Sequence, residues 1–388
     1  MVTNRLLILD DEAAIGTLVA TVARKVGYEA EATTDFGSFR EAFDRIEPTH
    51  VVLDLQLPDT DGVEVLSYLT ARGANVRVLL MSGFDARVLD MVGQVARDRG
   101  FDVIATCRKP LRVPELRDIL RRNAHEQPLA LEPEALDQAL DEGQIFVNFQ
   151  PQCRLSDGVI VGFEALARWR HPDLDLIAPD KFIPLAERSG RIARLTHYVF
   201  DQATDAAVRF AACSPNCGVA VNVSPLDLSD PHLADKFAQV CRDKGVAPDK
   251  VTLEMTESAA MSDPVSAKEA LVRLRLKGFR LSLDDFGTGY SSLVLLRQMP
   301  LSELKIDRSF VTDCTTSHDS EAIMEAVVAM AHALGLSVVA EGVETQEVLG
   351  RLAQADADLA QGYLMSRPVG LDEACRMLTG SGQMAQIS

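Results

Sequence analysis

The 388-residue sequence lacks an apolar run long enough to cross a membrane. Its most apolar window, residues 322–340, is interrupted by Glu325, His332 and Gly335, and is typical of an amphipathic helix followed by a strand. The N-terminus reaches Asp10 after a short apolar segment, without the basic start and cleavage site of a signal peptide. These absences predict a cytoplasmic protein that has no membrane partner.

Cysteines at metal-binding spacing are absent as well. The seven cysteines are scattered, and the nearest two, Cys213 and Cys217, have no second Cys or His pair at ligand spacing. An odd number of cysteines without a CxxC motif is typical of reduced thiols. The sequence therefore disfavours a zinc site.

Positive charge is in short supply. The chain has 39 Lys and Arg residues against 57 Asp and Glu residues, a net charge of −18, of which residues 123–388 carry −15. A surplus of this size opposes extended contact with nucleic-acid backbones and anionic membranes. We therefore expect no long nucleic acid as a partner, and we expect carboxylate chemistry mainly in the second part of the chain.

Five strand-like segments alternate with five helical patterns in the first 122 residues. The alternation predicts an α/β domain over residues 1–122, with a flavodoxin-like, doubly wound (βα)5 parallel sheet. Sheets of this kind bind ligands at the carboxyl ends of their strands. Polar side chains follow the predicted strands at these ends: Asp10, Asp11, Asp54, Ser82 and Lys109.

A polar segment, residues 123–132, contains Pro128 and predicts a linker. Beyond it we predict a second domain over residues 133–380, with eight strand-like segments, and a tail over residues 381–388. The turn sequence SDG at residues 156–158 joins the first two strands, which should therefore be antiparallel. The strand number and the length predict a modified (β/α)8 TIM barrel with one antiparallel strand.

Polar side chains follow seven of these strands at the predicted mouth of the barrel. They are Glu164, Asn222, Glu254, Glu257, Asp284, Asp285, Lys305, Asp307, Glu341, Glu344 and Gln361. A single carboxylate there is more often a helix cap or a solvated loop charge, but apposed carboxylates repel one another unless cations compensate. Oxygen ligands without Cys or His favour Mg²⁺ or Mn²⁺, and the adjacent Asp284 and Asp285 could bridge two such ions.

The sequences EALARW at residues 164–169 and DDFGTGYSS at residues 284–292 resemble the EAL family of cyclic di-GMP phosphodiesterases, and the resemblance extends over residues 131–378. It implies hydrolysis of one phosphodiester bond of cyclic di-GMP to linear pGpG, with two Mg²⁺ or Mn²⁺ ions in each site. It also suggests a homodimer or higher homo-oligomer. By this resemblance seven residues would ligate the ions: Glu164, Asn222, Glu254, Asp284, Asp285, Asp307 and Glu341.

The same resemblance implies roles for the remaining residues. Lys305 would hold or polarise the nucleophilic water, and Glu341 would either complete the metal shell or handle the proton of that water; with Glu164 they form the expected catalytic set. Glu257 would anchor the loop of residues 285–291, which the family couples to a dimer interface. Four residues would contact or support the substrate: Gln150, Arg168, Glu344 and Gln361.

Residues 3–122 resemble the response-regulator receiver family through the acid pair at residues 10–11 and the sequences DLQLPDTDG, MSG and RKP. The resemblance implies that Asp10 and Asp11 hold Mg²⁺ beside Asp54, which takes a phosphoryl group from a histidine kinase or phosphotransfer protein. Ser82 and Lys109 would bind the phosphoryl oxygens.

One residue departs from the receiver pattern. Thr106 stands three residues before Lys109, where the family usually has Tyr or Phe as a reporter of phosphorylation. The change in orientation of that aromatic ring, which usually accompanies phosphorylation in the family, should therefore not be assumed for this chain.

These patterns predict a two-component response regulator that hydrolyses cyclic di-GMP under the control of receiver phosphorylation. The alternative is a signalling adaptor that binds the nucleotide without hydrolysing it, but such an adaptor should have lost metal ligands, and none is lost from the motifs. Two residues near the mouth favour structural roles: Trp169 in the core or rim rather than as a stacking platform, and His171 in packing rather than in proton transfer.

Overall fold

The computed structural model describes residues 4–74, 76–83, 86–124, 131–256, 264–287 and 293–379. The chain divides into two compact units, Met1–Ala130 and Leu131–Ser388. None of the helices within the described ranges is long and apolar enough to span a membrane.

The first unit is a five-stranded parallel sheet with helices on both faces. Its strands have the spatial order β2-β1-β3-β4-β5. They are β1 (Asn4–Leu9), β2 (Tyr28–Thr33), β3 (His50–Asp54), β4 (Arg77–Ser82) and β5 (Asp102–Arg108). The helices are α1 (Ala13–Lys25), α2 (Phe36–Ile46), α3 (Gly62–Ala71), α4 (Ala86–Asp98) and α5 (Val113–Ala124). The predicted flavodoxin-like topology is confirmed.

Burial on both faces explains the apolar sequence of the central strands. Val51 and Leu53 of β3 pack into the core cluster beneath α2 and α3, whereas Val52 packs into the cluster beneath α1 and α5. A strand that is covered by helices on both faces has no solvent-exposed side, so its sequence is continuously apolar instead of alternating between apolar and polar residues. Helix α2 begins at the cap residue Asp35, whose side chain accepts a hydrogen bond of 2.8 Å from the Ser38 N–H.

The second unit is a closed eight-stranded barrel, and β6 is antiparallel to both of its neighbours, β7 and β14. The remaining neighbours around the barrel are parallel. Its strands are β6 (Ile145–Arg154), β7 (Ile160–His171), β9 (Gly218–Asn222), β10 (Val251–Thr256), β11 (Arg280–Phe286), β12 (Glu303–Ile306), β13 (Ser337–Ala340) and β14 (Leu359–Ala360). The predicted barrel and its reversed strand are confirmed.

A short additional strand, β8 (Asp175–Ile177), extends the sheet beside β7 and was not predicted. The intervening turn brings Asp175 into the left-handed region with a φ of 59°. Three residues give too short a pattern for a strand to be recognised in sequence.

Helices surround the barrel. They are α6 (Pro133–Asp141), α7 (Pro179–Arg188), α8 (Ile192–Cys213), α9 (Pro225–Leu228), α10 (Leu233–Lys244), α11 (Pro264–Leu276), α12 (Leu293–Gln298), α13 (Arg308–Asp313), α14 (His318–Ala333), α15 (Gln346–Gln354) and α16 (Leu371–Thr379), with a 3₁₀ turn at Pro248–Lys250. Aromatic contacts attach the long helix α8 to the sheet and to α10: Phe210 stacks on Phe163 with 4.6 Å between ring centroids, and Phe200 on Phe237 with 3.8 Å.

Trp169 belongs to this packing. Its side chain is fully buried, meets Phe182 edge to face and donates a hydrogen bond of 3.1 Å to Gln144 Oε1. This burial confirms the prediction that Trp169 is a core residue rather than a platform on which a base stacks. His171 lies nearby at the end of β7 and accepts a hydrogen bond from the Asp173 N–H through Nδ1.

Candidate active site

Lys305 is the centre of a buried charge cluster inside the barrel. The residue is 0% exposed, although a lysine is rarely buried without partners. Its Nζ lies 2.6 Å from Glu341 Oε1, 2.9 Å from Glu254 Oε2, 3.2 Å from Asp284 Oδ2 and 3.8 Å from Glu164 Oε2. Five strands or strand ends thus bring one cation into contact with four carboxylates.

Amide side chains orient Glu164 within this cluster. Asn222 Nδ2 donates to Glu164 Oε1 at 2.8 Å, and Gln361 Nε2 donates to Glu164 Oε2 at 2.5 Å. Gln361 is held in turn by Gln152, which donates to its Oε1 at 3.1 Å, and by Gln150, whose Oε1 accepts from its Nε2 at 3.2 Å. Both oxygens of Glu164 on β7 are therefore directed by neutral donors, one at the end of the adjacent β9 and one directly after β14.

The environment separates the pKa values of these groups. Burial raises the pKa of Glu341 to about 8, an effect that Lys305 opposes and Asp284 reinforces. Burial also favours the neutral form of Glu164, but Lys305 and the two amide donors hold the pKa of Glu164 below its usual value. Although burial disfavours the ammonium, the surrounding carboxylates raise the pKa of Lys305 well above its ordinary value.

Asp284, Asp285 and Glu341 could hold a metal ion, since each offers an oxygen within 4.8 Å of the others. Asp285 adopts a left-handed backbone conformation with a φ of 55°. Burial and the adjacent Asp284 raise the pKa of Asp285 to about 6. Crowded carboxylate oxygens without Cys or His are a donor set that fits divalent cations with a preference for oxygen.

The mouth above the cluster is a cavity of about 230 Å³. It is lined by Gln150, Glu164, Leu166, Asp284, Arg308, Glu341, Gly342, Glu344, Gln361, Gly362 and Tyr363. Sequence reasoning missed Arg308 and Tyr363, which immediately follow the site motifs KID and QG. It also missed Gln152, although its position two residues after Gln150 places both on the same face of β6.

Three predicted residues lie at the edge of this arrangement. Asp307 caps α13, accepting a hydrogen bond of 2.9 Å from the Ser309 N–H. Its charge also raises the pKa of Asp285, although burial and Asp284 have larger effects on that pKa. Arg168 is half-buried and donates to the Ala167 carbonyl at 2.8 Å. Glu344 is exposed at the cavity wall. The predicted anchor Glu257, like residues 288–291 of the loop it would hold, lies outside the described residues.

Gly362 allows the Gln361 loop to approach the strand end at Val343. A Cβ at Gly362 would lie 2.1 Å from the Val343 carbonyl oxygen and 2.3 Å from its nitrogen. Backbone hydrogen bonds join the same segments, from the Val343 N–H to Gln361 O at 3.1 Å and from the Leu364 N–H to Val343 O at 3.0 Å. Only glycine fits this contact without displacing the loop.

A second acidic site lies at the carboxyl end of the first sheet. Lys109 Nζ is 2.5 Å from Asp54 Oδ2 and 3.0 Å from Asp10 Oδ2, and both carboxylates are buried. Exposed Asp11 completes a group that could hold a metal ion. Burial raises the pKa of Asp10 against the opposing effect of Lys109. Glu12 also approaches Lys109, at 3.4 Å, and was not predicted.

Ser82 and Thr106 lie on adjacent strands beside this site. Ser82 is fully buried at the end of β4, and Thr106 on β5 is paired in register with Leu80. A Cβ at Gly93 of α4 would lie 3.3 Å from the Thr106 methyl group, so helix and strand are closely packed here. Because residue 106 is a threonine, β5 lacks at this position the aromatic ring that receiver domains usually have.

The fold and the two acidic sites define a receiver domain joined to a carboxylate-lined barrel. The chain matches the EAL domain family over residues 133–368 and the response regulator receiver domain family over residues 6–121. The chain belongs to the EAL domain family and carries a receiver domain.

Relatives share either the whole chain or the barrel. The cyclic di-GMP phosphodiesterase RocR of Pseudomonas aeruginosa is 33% identical over 94% of this chain and 95% of its own length. The cyclic di-GMP phosphodiesterase NbdA of the same organism is 44% identical over 63% of this chain, which spans 31% of NbdA. Among solved structures, the PaMucR phosphodiesterase in complex with c-di-GMP has a TM-score of 0.60 and 37% identity, covering 62% of this chain and 98% of that one.

Proposed function

We propose that this chain is a metal-dependent cyclic di-GMP phosphodiesterase whose activity is regulated by phosphorylation of its receiver domain. The observation that carries the proposal is the fully buried Lys305 in contact with four carboxylates at the barrel mouth. Similarity to RocR over nearly the whole length of both chains supports the combination of domains.

The oxygen-rich cluster would hold two Mg²⁺ or Mn²⁺ ions. Asp284, Asp285 and Glu341 are the residues gathered within ligand range of one another, and we propose Glu164, Asn222, Glu254 and Asp307 as further ligands. When bound, such ions lower the pKa of a water and neutralise charge on a phosphodiester. They would also allow a strongly acidic site to accept an anionic substrate.

The protein's own groups position the reactants. The Lys305 ammonium, kept protonated by its neighbours, would orient the attacking water and stabilise negative charge on it. Glu341, 2.6 Å from that ammonium and with a raised pKa, would accept the proton of the water. Its proximity to Asp284 and Asp285 suits it equally to metal ligation.

Cationic and aromatic side chains at the rim would bind the rest of the nucleotide. Arg308 lines the cavity and would contact a phosphate. The Tyr363 ring also lines it, is half exposed and carries the Arg367 guanidinium 4.2 Å from its centroid. An aromatic face of this kind would stack on a guanine, while Gln150, Arg168, Gln361 and Glu344 would contact or support the substrate.

The activity is tested by following the conversion of cyclic di-GMP to pGpG with Mn²⁺ present. Lys305→Ala should lower kcat at least a hundredfold, because the electrostatic stabilisation of the attacking water is lost. Lys277→Ala is the matched control, since Lys277 pairs with Asp235 on the outer surface. Circular dichroism of both variants verifies folding. No product from the folded wild-type protein, with the receiver either unmodified or treated with a phosphodonor, would refute the proposal.

The regulatory half requires a separate test. Phosphorylation of Asp54 would place a dianion beside Lys109, whose present partners are Asp54, Asp10 and Glu12. A small-molecule phosphodonor with Mg²⁺ should therefore change the hydrolysis rate of the wild type and leave that of Asp54→Ala unchanged. Equal rates in all four reactions would remove phosphorylation control while leaving the phosphodiesterase assignment intact.

A further inference from the structure

The barrel brings together two cysteines that are far apart in sequence. Cys213 is the last residue of α8, and Cys375 lies in α16, about 160 positions later. The two helices pack against each other. The Cys213 thiol contacts that of Cys375 and adds to the raised pKa that burial gives it.

An ion pair places the two helices in register. Arg209 Nη2 lies 2.7 Å from Asp372 Oδ1. Cys213 follows Arg209 by four residues and Cys375 follows Asp372 by three, so that each cysteine lies one helical turn beyond an ion-pair partner. The ion pair and the thiol contact are therefore successive non-covalent contacts between the same two helix faces.

Accessibility distinguishes this pair from the other cysteines. Cys213 and Cys375 are the two of the seven that are not buried; the others are Cys107, Cys153, Cys217, Cys241 and Cys314. The Arg209 guanidinium lies beside Cys375 and favours its thiolate, against the effect of burial on the pKa. A small oxidant can thus reach thiols that already face one another and have a cation beside them.

We propose that Cys213 and Cys375 form a reversible redox site, at which a low-molecular-weight disulfide oxidises the two thiols to an intramolecular disulfide. One thiolate attacks a sulfur of the reagent, forming a mixed disulfide and releasing one reagent thiol. The second cysteine attacks the protein sulfur of that intermediate and releases the other reagent thiol. The reagent gains the two electrons that the cysteines lose.

The site is remote from the charge cluster. Cys213 precedes β9 at its start, whereas Asn222 lies at the opposite, carboxyl end of that strand. The disulfide would fasten the last helix of the described chain to α8 at the base of the barrel. Cyclic di-GMP hydrolysis should change less than twofold on oxidation, and the unfolding temperature should rise by several degrees because a long loop is closed.

The test exposes the full-length protein to oxidised glutathione, blocks the remaining thiols with an alkylating agent under denaturing conditions and maps disulfide-linked peptides by mass spectrometry. A link between Cys213 and Cys375 that dithiothreitol removes is the expected result. Fragmentation between Cys213 and Cys217, which share one tryptic peptide, shows which of them is joined.

Variants complete the test. Cys213→Ser and Cys375→Ser should each abolish the link and the rise in unfolding temperature, whereas the control Cys217→Ser should retain both. A link from Cys375 to Cys217, separate glutathione adducts on Cys213 and Cys375, or two thiols that stay free would each overturn the proposal. None of these results depends on whether the protein hydrolyses cyclic di-GMP.

Discussion

Single residues at the barrel mouth are constrained by backbone contacts as much as by charge. Gly362→Ala should destabilise the protein by roughly 2 to 3 kcal/mol, because the new Cβ would overlap the backbone of Val343 and force the Gln361 loop to move. The same movement should lower kcat, since Gln361 orients Glu164.

Denaturant unfolding and the phosphodiesterase assay measure the two effects of Gly362→Ala. Gly350→Ala is the matched control, because a Cβ at that position in α15 meets no atom within 4 Å and alanine is the better helix former. Equal stability of the two variants would contradict the proposed close contact.

His50 is fully buried in the first unit, and we expect it to make the stability of that unit depend on pH. Burial, aided by Arg77, lowers the pKa of His50 to about 4. In the unfolded chain the histidine has a pKa near 6.5, so between about pH 4 and pH 6.5 the unfolded state binds more protons than the folded state. The contribution of His50 to the free energy of unfolding is therefore fully present above about pH 6.5 and is lost as the pH falls towards 4. We expect about 2 kcal/mol of this contribution to be lost between pH 7 and pH 5.

Hydrogen exchange of β3 amides, corrected for the intrinsic effect of pH, measures the His50 contribution. His50→Asn removes the titrating group and should flatten the pH dependence relative to the wild type. The difference between the two proteins separates His50 from the carboxylates. Identical slopes would show that His50 is not kept neutral by the fold.

At the scale of helices, α6 is attached to the start of α8 by charge. Arg191 Nε lies 2.7 Å from Asp137 Oδ2 and Arg194 Nη1 lies 2.8 Å from Asp137 Oδ1, while Glu134 and Asp141 provide outer partners. These acids recur at three- and four-residue intervals, which places them on one face of α6.

Replacing both arginines of this network should loosen α6. In Arg191→Ala/Arg194→Ala we expect faster hydrogen exchange over residues 133–141, and high salt should accelerate exchange there in the wild type but have little further effect in the variant. Arg242→Ala is the control, since Arg242 on α10 contacts only Gln239 among the side-chain partners described. Unchanged exchange over α6 in the double variant would show that apolar packing alone holds the helix.

Elements also differ in how much their sequence discloses. The parallel strands were predictable because continuous apolar runs end in acids, and the reversed β6 because a short turn sequence follows it. The three-residue β8 was missed because it is too brief to show alternation. Arg308 and Tyr363 were missed because sequence shows that a residue follows a motif but does not show towards which cavity its side chain points.

At the scale of the whole molecule, divalent ions should stabilise the chain. In the folded chain, a bound cation offsets the repulsion among the clustered carboxylates, whereas the unfolded chain does not bind the cation tightly. An ion present at a hundred times its Kd therefore adds about 2.7 kcal/mol to the free energy of unfolding. Calorimetry with and without Mn²⁺ should show a higher unfolding temperature with the ion.

Asp284→Asn separates the barrel from the receiver in this experiment, because it alters one cluster and leaves Asp10, Asp11 and Asp54 intact. The variant should lose most of the shift contributed by the barrel. An equal shift in wild type and variant would place the stabilising ion elsewhere.

The buried Trp169 gives the molecule a built-in optical label. It is the one tryptophan in the sequence, and it lies in the barrel unit among apolar neighbours. Indole emission excited at wavelengths that tyrosine does not absorb therefore reports on the barrel alone, and a red shift signals its exposure to water. Tyrosines and regular secondary structure occur in both units, so a tyrosine or far-ultraviolet transition that is not accompanied by a shift of the indole emission signals unfolding of the receiver in the intact chain.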